Sequence, residues 1–431
     1  MIMKTKGLLI LLTLLATVFS SCNKDDKKPE DKSRVYPEGA IVWKKDTIVT
    51  LTDHYVVPVN KSLFIEEGVQ IIMNDTAVRP EFIVLGNLYC YGTAEKPIRF
   101  TVAEQYRSNS KKFNRYWGGI ICGYDCEEVL LQHTIVEYGG AQTTEESASF
   151  QYQLFKTVTG EGVPGFHFCN PEGRFVITNC TFMNNAEDQV YITGGQSIIM
   201  NSQFICNGYD GGDAINYKSD CLADLAYNFI YDPNTNGFKL SNSGMLNTQS
   251  DLYVYNNTLV NTGWRRPKIK GGSIWLEDNI KAHVFNNILF DTRHPIKQDV
   301  KKPMDSTCVY TPNFIFASTQ AGIDEFVATE KNGVLNGAND KMSTTPGTNN
   351  PNFESFTIQS NVDIMAGVNG SSNVPQQYNS TWDFHLKTGS PALTGGNITI
   401  TPHYNTNGLT IDNVTYKSPA PAAYFGAYGT K

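Results

Sequence analysis

The stretch from Gly165 to Leu240 repeats one short unit four times: Gly165-Phe166-His167-Phe168, Gln189-Val190-Tyr191-Ile192, Asp213-Ala214-Ile215-Asn216 and Gly237-Phe238-Lys239-Leu240. Successive units start 24 residues apart. A fixed period of this size, built on short β-branched and aromatic runs, is the signature of a solenoid whose turns stack to bury a continuous core. Three short strands fit into 24 residues, so the expected turn is a coil of a parallel β-helix. Propeller blades repeat at about 40–50 residues, and membrane barrels use strands of about ten residues.

The unit recurs outside the stretch, at Trp117-Gly118-Gly119-Ile120 and at Gly271-Gly272-Ser273-Ile274. From 237 to 271 the interval is 34, which reads as one period with a ten-residue insertion; from 117 to 165 it is 48, which reads as two periods. A second marker lies between the units: Asn179-Cys180, Asn201-Ser202, Asn228-Phe229, Asn256-Asn257 and Asn286-Asn287. An Asn amide carries both donor and acceptor, so Asn at one place in successive turns is expected to stack in a hydrogen-bonded ladder.

Two flanks extend the pattern. Ser62-Leu63-Phe64-Ile65-Glu66-Glu67-Gly68-Val69-Gln70-Ile71-Ile72, Phe82-Ile83-Val84-Leu85-Gly86-Asn87-Leu88 and Gly92-Thr93-Ala94-Glu95-Lys96-Pro97-Ile98-Arg99-Phe100-Thr101 resemble the opening rungs of right-handed parallel β-helix proteins of the pectate-lyase-like superfamily. Asp383-Phe384-His385-Leu386-Lys387-Thr388-Gly389-Ser390-Pro391-Ala392-Leu393 and Phe425-Gly426-Ala427-Tyr428 resemble their closing rungs. The resemblance implies an all-β, right-handed parallel β-helix over residues 39–431, with N-terminal cap rungs and an irregular C-terminal closing region. It implies no single function, because this fold hosts lyases, hydrolases, adhesins and inert stalks.

Residues 1–21 read as a signal peptide: Lys4 and Lys6 precede an apolar run from Gly7 to Ser20, and small residues lead to Cys22. The run is too short to span a bilayer comfortably. Phe19-Ser20-Ser21-Cys22 resembles the cleavage site of bacterial lipoproteins, which implies lipidation of Cys22. Residues 22–38 are charged and poor in apolar side chains, as a solvated tether would be. Asp25-Asp26 close behind Cys22 resembles the export signal of Bacteroides-type surface lipoproteins. The expected location is the outer membrane, at the cell surface, with membrane contact through the lipid anchor alone.

A net charge of −7 argues against nucleic acid as a partner, and no nucleic-acid motif occurs. The cysteines beyond Cys22 sit in apolar strand-like runs and read mainly as small buried side chains. No Cys/His spacing matches a zinc site.

Alternation along the strands predicts where chemistry could sit. With Phe166, Phe168, Val190, Ile192, Phe238, Leu240, Ile274 and Leu276 facing inward, His167, Tyr191, Lys239 and Trp275 face outward, joined by Tyr217. The insertion carries Trp264-Arg265-Arg266-Pro267-Lys268-Ile269-Lys270 beside that stripe. Aromatic faces stack on sugar rings and Arg binds carboxylates bidentately, so His167, Tyr191, Tyr217, Lys239, Trp264 and Trp275 are the candidate glycan contacts, for a polysaccharide of acidic character. If the chain were a polysaccharide lyase acting on a uronate polymer, Lys239, Arg265, Arg266 and Lys268 would be the candidate bases. Glu187, Asp188, Asp210 and Asp213 fall near one corner and could hold Ca²⁺ in that case, although acidic residues at corners serve more often as turn formers. The motif set of polygalacturonase-type hydrolases is absent. The leading expectation is a surface protein that contacts polysaccharide without catalysis and requires no cofactor; the lyase and a structural or adhesive stalk are the alternatives.

Overall fold

The computed structural model describes residues 34–244, 247–266, 271–356 and 378–431. Residues 39–431 form one compact unit. The signal segment and Cys22 lie outside the described residues. Among the described residues no helix is long and apolar enough to cross a membrane.

Three parallel sheets, of nine, eleven and nine strands among the described residues, run the length of this unit. One turn shows the plan. Arg174–Thr178 lies in the first sheet, Thr181–Met183 in the second and Val190–Ile192 in the third, and Gly195–Met200 then returns to the first. Each strand pairs in parallel with its copies one turn before and after, giving the right-handed parallel β-helix. The predicted inward residues Phe166, Phe168, Val190, Ile192, Phe238, Leu240, Ile274 and Leu276 are all fully buried in the central core.

The corner between the first and second sheets explains the Asn marker, with one refinement. It uses two adjacent positions. The first is held in the left-handed region: Asn179, Asn201, Tyr227, Asn256 and Asn286 have φ of 55, 52, 57, 49 and 58°. Asn tolerates that conformation better than other residues with a Cβ. The second position points inward and forms the ladder, occupied by Cys180, Ser202, Asn228, Asn257, Asn287 and then Asn313. The Asn228 backbone N–H donates to Asn257 Oδ1 at 2.9 Å, Asn257 to Asn287 at 3.0 Å and Asn287 to Asn313 at 3.0 Å. Each Nδ2 donates to a first-sheet carbonyl one turn earlier, such as Leu225 for Asn257. Asn179 and Asn201 are therefore corner formers and not ladder members.

Two readings of spacing are corrected. Strand Phe166–Phe168 pairs directly with Ile120–Cys122. The 48-residue interval is thus one turn, not two. Its excess length is an insertion at residues 138–165, between Thr134–Glu137 of the second sheet and the third-sheet strand. The other correction concerns the third unit. Val190 pairs with Ile215 and Ile215 with Phe238, so the steps are 25 and 23 residues. Gly211 and Gly212, at φ 126 and 118°, accommodate the extra residue.

The C-terminal region does not form rungs. Phe384, Leu386, Ala392 and Phe425 pack with Phe229, Tyr231, Phe290 and Phe316 on the outer side of the second sheet. A hairpin of Leu409–Ile411 and Val414–Tyr416 lies over the first sheet. All eight cysteines among the described residues are free thiols, seven of them buried.

Candidate functional site

The outward column of the third sheet follows from its register: Val56, Ile83, Ile121, His167, Tyr191, Asn216, Lys239, Trp275, Lys297. Its first members are apolar and lie beneath Ala148, Leu154 and Val163 of the insertion. From His167 onward the column turns polar. There a cleft of about 970 Å³ opens, floored by His167, Tyr191 and Lys218 and roofed by Phe155 and Lys156.

The insertion is tied down at several points. Thr143 N–H donates to the Glu161 carbonyl at 2.9 Å, closing its base. The short helix Ala148–Gln151 is held by Glu81, whose buried carboxylate accepts from Ser149 N–H at 2.6 Å and Ser149 Oγ at 3.0 Å. Burial pushes the Glu81 carboxyl above its ordinary value, against these hydrogen bonds. At the tip, Gln153, Phe155 and Thr157 have φ of 55, 52 and 49°, strained for residues with a Cβ at about 1–3 kcal/mol each. Packing holds them there: the Phe155 ring meets His167 at 5.3 Å and Tyr191 at 5.4 Å, both edge to face.

Charge in the cleft is unevenly placed. Lys156 and Lys218 lie over the Tyr191 ring at 6.0 and 5.8 Å. Lys156 also pairs with Glu161 at 2.6 Å. Burial, followed by the neighbouring charge of Lys239, lowers the Lys218 pKa. Burial is likewise the largest influence on Lys239 and pulls its ammonium down, but Asp213, Glu277 and Asp188 together carry it above the ordinary lysine value. Lys239 Nζ stands 3.4 Å from Glu277. His167 Nδ1 lies 2.8 Å from the Tyr191 carbonyl. A carbonyl can only accept, so Nδ1 carries the proton. Burial drops the His167 pKa to about 4.

Next to Lys239 stand two buried carboxylates. Asn216 Nδ2 bridges Asp188 Oδ2 at 2.9 Å and Asp213 Oδ2 at 3.2 Å. Asp188 Oδ1 accepts from Asp213 N–H, and Asp213 Oδ1 from the N–H and Nδ2 of Asn236. Burial, then the Asp188 charge, raises the Asp213 pKa to about 6. The other two acids of the calcium expectation stand apart: Glu187 pairs with Arg115 at 2.5 Å, and Asp210 is exposed. Among the described residues no group of three or more His, Cys, Asp or Glu is arranged to hold a metal ion. The oxygens of the Asp188–Asp213 pair are turned to N–H donors and do not form an open calcium cage.

The structure distributes the sequence candidates unevenly. His167 and Tyr191 line the cleft, and Lys239 stands beside Asn216 in the outward column, near enough for its charge to act on Lys218. Tyr217 does not face outward: it aligns with Ile192 and Leu240, is fully buried, and bonds Ser197 through its hydroxyl at 2.8 Å inside the coil. Asn216 takes its place, because of the one-residue shift at Gly211-Gly212. Trp264 is buried, with Nε1 donating to the Asp291 carbonyl at 2.8 Å. Arg265 is buried as well, clamping the carbonyls of Gly208 and Asp232 at 2.8 Å each, with Nε 3.5 Å from the Asp232 carboxylate. Both are structural. Arg266 is half-buried beside Gly211, where a Cβ would meet its Nη1 at 2.7 Å. Lys268 lies outside the described residues. Trp275 faces outward but is covered, its Nε1 donating to Glu277 at 2.8 Å and its ring lying under Lys297 at 5.3 Å. The sequence reading missed Phe155, Lys156 and Lys218. The signal for the first two was the Thr143–Ser147 polar run, with no strand unit or corner Asn where a second turn would need them.

Residues 159–303 match the family model of a right handed beta helix region. No curated protein matches the chain by sequence. Among solved structures, the chain is similar to pectate lyase Pel9A, at 12% identity and a TM-score of 0.41, over 89% of this chain and 88% of that one. It is also similar to the Dettilon tailspike protein, at 12% identity and a TM-score of 0.37, over 64% of this chain and 55% of the other. Parallel register through three sheets, together with the matched region, makes the fold of this chain a right-handed parallel β-helix.

Proposed function

We propose that this protein binds an acidic polysaccharide in the cleft over its third sheet, without a cofactor. The observation that carries the reading is the composition of the cleft: the ammonium groups of Lys156 and Lys218 both lie over the Tyr191 ring, against which Phe155 packs edge to face. Flat apolar rings suit the faces of sugars, and two cations suit their carboxylates. Titration calorimetry of the full chain with polygalacturonate, alginate and a sulfated glycosaminoglycan tests it. Lys218→Gln is expected to weaken the best ligand about tenfold, the order of one lost charge-assisted contact; EDTA is expected to leave binding unchanged. Equal affinity of wild type and variant, or no heat with any polymer, refutes the proposal.

One observation favours a second reading, β-elimination from a uronate polymer: Lys218 has a lowered pKa in the cleft, as a general base requires. Formation of an unsaturated product would establish it, and silence across pectin, alginate and glycosaminoglycans would exclude it. We also propose that Cys22 anchors the protein to the outer membrane, facing the cell surface. Cys22→Ala is then expected to move the protein out of the membrane fraction, and unchanged fractionation would refute the anchor.

A further inference from the structure

The insertion at residues 138–165 roofs the cleft and also stands as a wall across the sheet. On its far side lies a separate hollow of about 870 Å³, lined by Asp53, His54, Arg79, Gln142 and Thr144, and Gln151 borders both hollows. Between them the insertion is seated on the sheet itself: Ile83 and Ile121 are fully buried under Ala148, Leu154 and Val163. The buried Glu81 holds Ser149 with both carboxylate oxygens. A chain crossing this line would have to open an apolar contact and strip a buried carboxylate of its donors.

On the near side the cleft follows the axis of the coil. His167, Tyr191, Lys218 and Ser243 line it, one from each of four successive turns. Three steps of about 4.8 Å give a run of about 14 Å. It begins at the wall, where Tyr124, Glu145 and Phe150 line it, and leads toward the later turns.

We propose that the cleft is blind at the insertion and takes the terminal residues of an anionic polysaccharide, so that the protein recognises chain ends and not chain interiors. The proposal rests on the polysaccharide-binding reading above. The terminal sugar sits against the exposed side of the Phe155–Tyr191 pair with its carboxylate toward Lys156 and Lys218, and the chain leaves past Ser243.

The test uses the full chain and two polygalacturonate fractions differing tenfold in chain length, with saturating stoichiometry measured by calorimetry. End recognition predicts the same number of protein molecules per polymer chain in both fractions, hence tenfold less protein per gram of the longer one. Equal protein per gram overturns the proposal while leaving polysaccharide binding intact; no binding to either fraction overturns the underlying reading and this proposal with it.

Discussion

His167 combines a buried imidazole, a proton fixed on Nδ1 by the Tyr191 carbonyl and a pKa near 4, all set by its place under Phe155. The sign of its effect on stability follows. Its folded pKa lies below the unfolded value of 6.5, so its contribution is present above pH 6.5 and is lost as the pH falls through about 4. Complete loss corresponds to about 3 kcal/mol. His167→Gln should flatten the acid side of the stability–pH curve between those values, as read by urea unfolding at a series of pH values; an unchanged acid limb would contradict the buried neutral imidazole. Asp213 acts in the opposite sense. Its folded pKa of about 6 lies above the ordinary 3.8, so its contribution is present at low pH and is lost as the pH rises through 6. These environments were not legible in the sequence. Alternation placed His167 on the right face, but Tyr217 and Asn216 exchanged roles through a single extra residue at Gly211-Gly212. Arg265 read as an exposed cation because its neutralising partners, Asp232 and the Asn207–Gly208 carbonyls, are 33 or more residues away in sequence.

The Asn ladder and the insertion are the elements that the sequence showed most and least clearly. A ladder repeats a side chain that must satisfy buried backbone groups in each turn, so it leaves a visible period. Its energetic weight can be measured. Asn257 accepts from the N–H and Nδ2 of Asn228 and donates to the Leu225 carbonyl and to Asn287. Asn257→Ala leaves the Asn228 amide and the Leu225 carbonyl buried without these partners, at about 1–3 kcal/mol each. Asn179→Ala, at an exposed corner position where the side chain bonds only the adjacent Thr178 Oγ1, should cost about 1–2 kcal/mol, chiefly through the left-handed backbone. Denaturant midpoints of the two variants should therefore differ clearly, and equal losses would mean that the ladder is not a stabilising element. The insertion was hidden for the opposite reason. Its length brought the interval to twice the period, and spacing alone cannot distinguish an added turn from an added loop. What distinguishes them is content: a real turn needs inward-facing apolar alternation and a corner, and residues 138–165 supply neither.

At the scale of the whole unit, the C-terminal region decides which faces of the coil are open. The outward column of the first sheet, Phe64, Tyr89, Leu130, Val176, Ile198, Asp224, is almost wholly buried. The segment that carries the hairpin, residues 397–420, is fastened at both ends and in the middle. Tyr91 and Glu128 hold Asp412 at 2.6 and 2.9 Å, Asn286 holds Asn397, and Tyr255 and Tyr227 donate to the carbonyls of Pro419 and Ala420. Asp224 is the central fastening. Its carboxylate accepts from the N–H groups of His403 and Tyr404 at 3.1 and 2.8 Å and from Ser418 Oγ at 2.6 Å, so it grips both arms of the segment. With the second sheet covered by its own aromatic cluster, the third sheet is left to carry the cleft. Asp224→Ala removes three charge-assisted hydrogen bonds and leaves their donors under the segment, a change of about 3–5 kcal/mol. Because those bonds fasten a peripheral layer, the loss should be local: hydrogen exchange is expected to accelerate across residues 403–418, while the ladder amides at Asn228, Asn257 and Asn287 keep their protection. Loss of protection in both regions together would mean that the segment and the coil unfold as one unit, and that the C-terminal cover is part of what holds the turns in register.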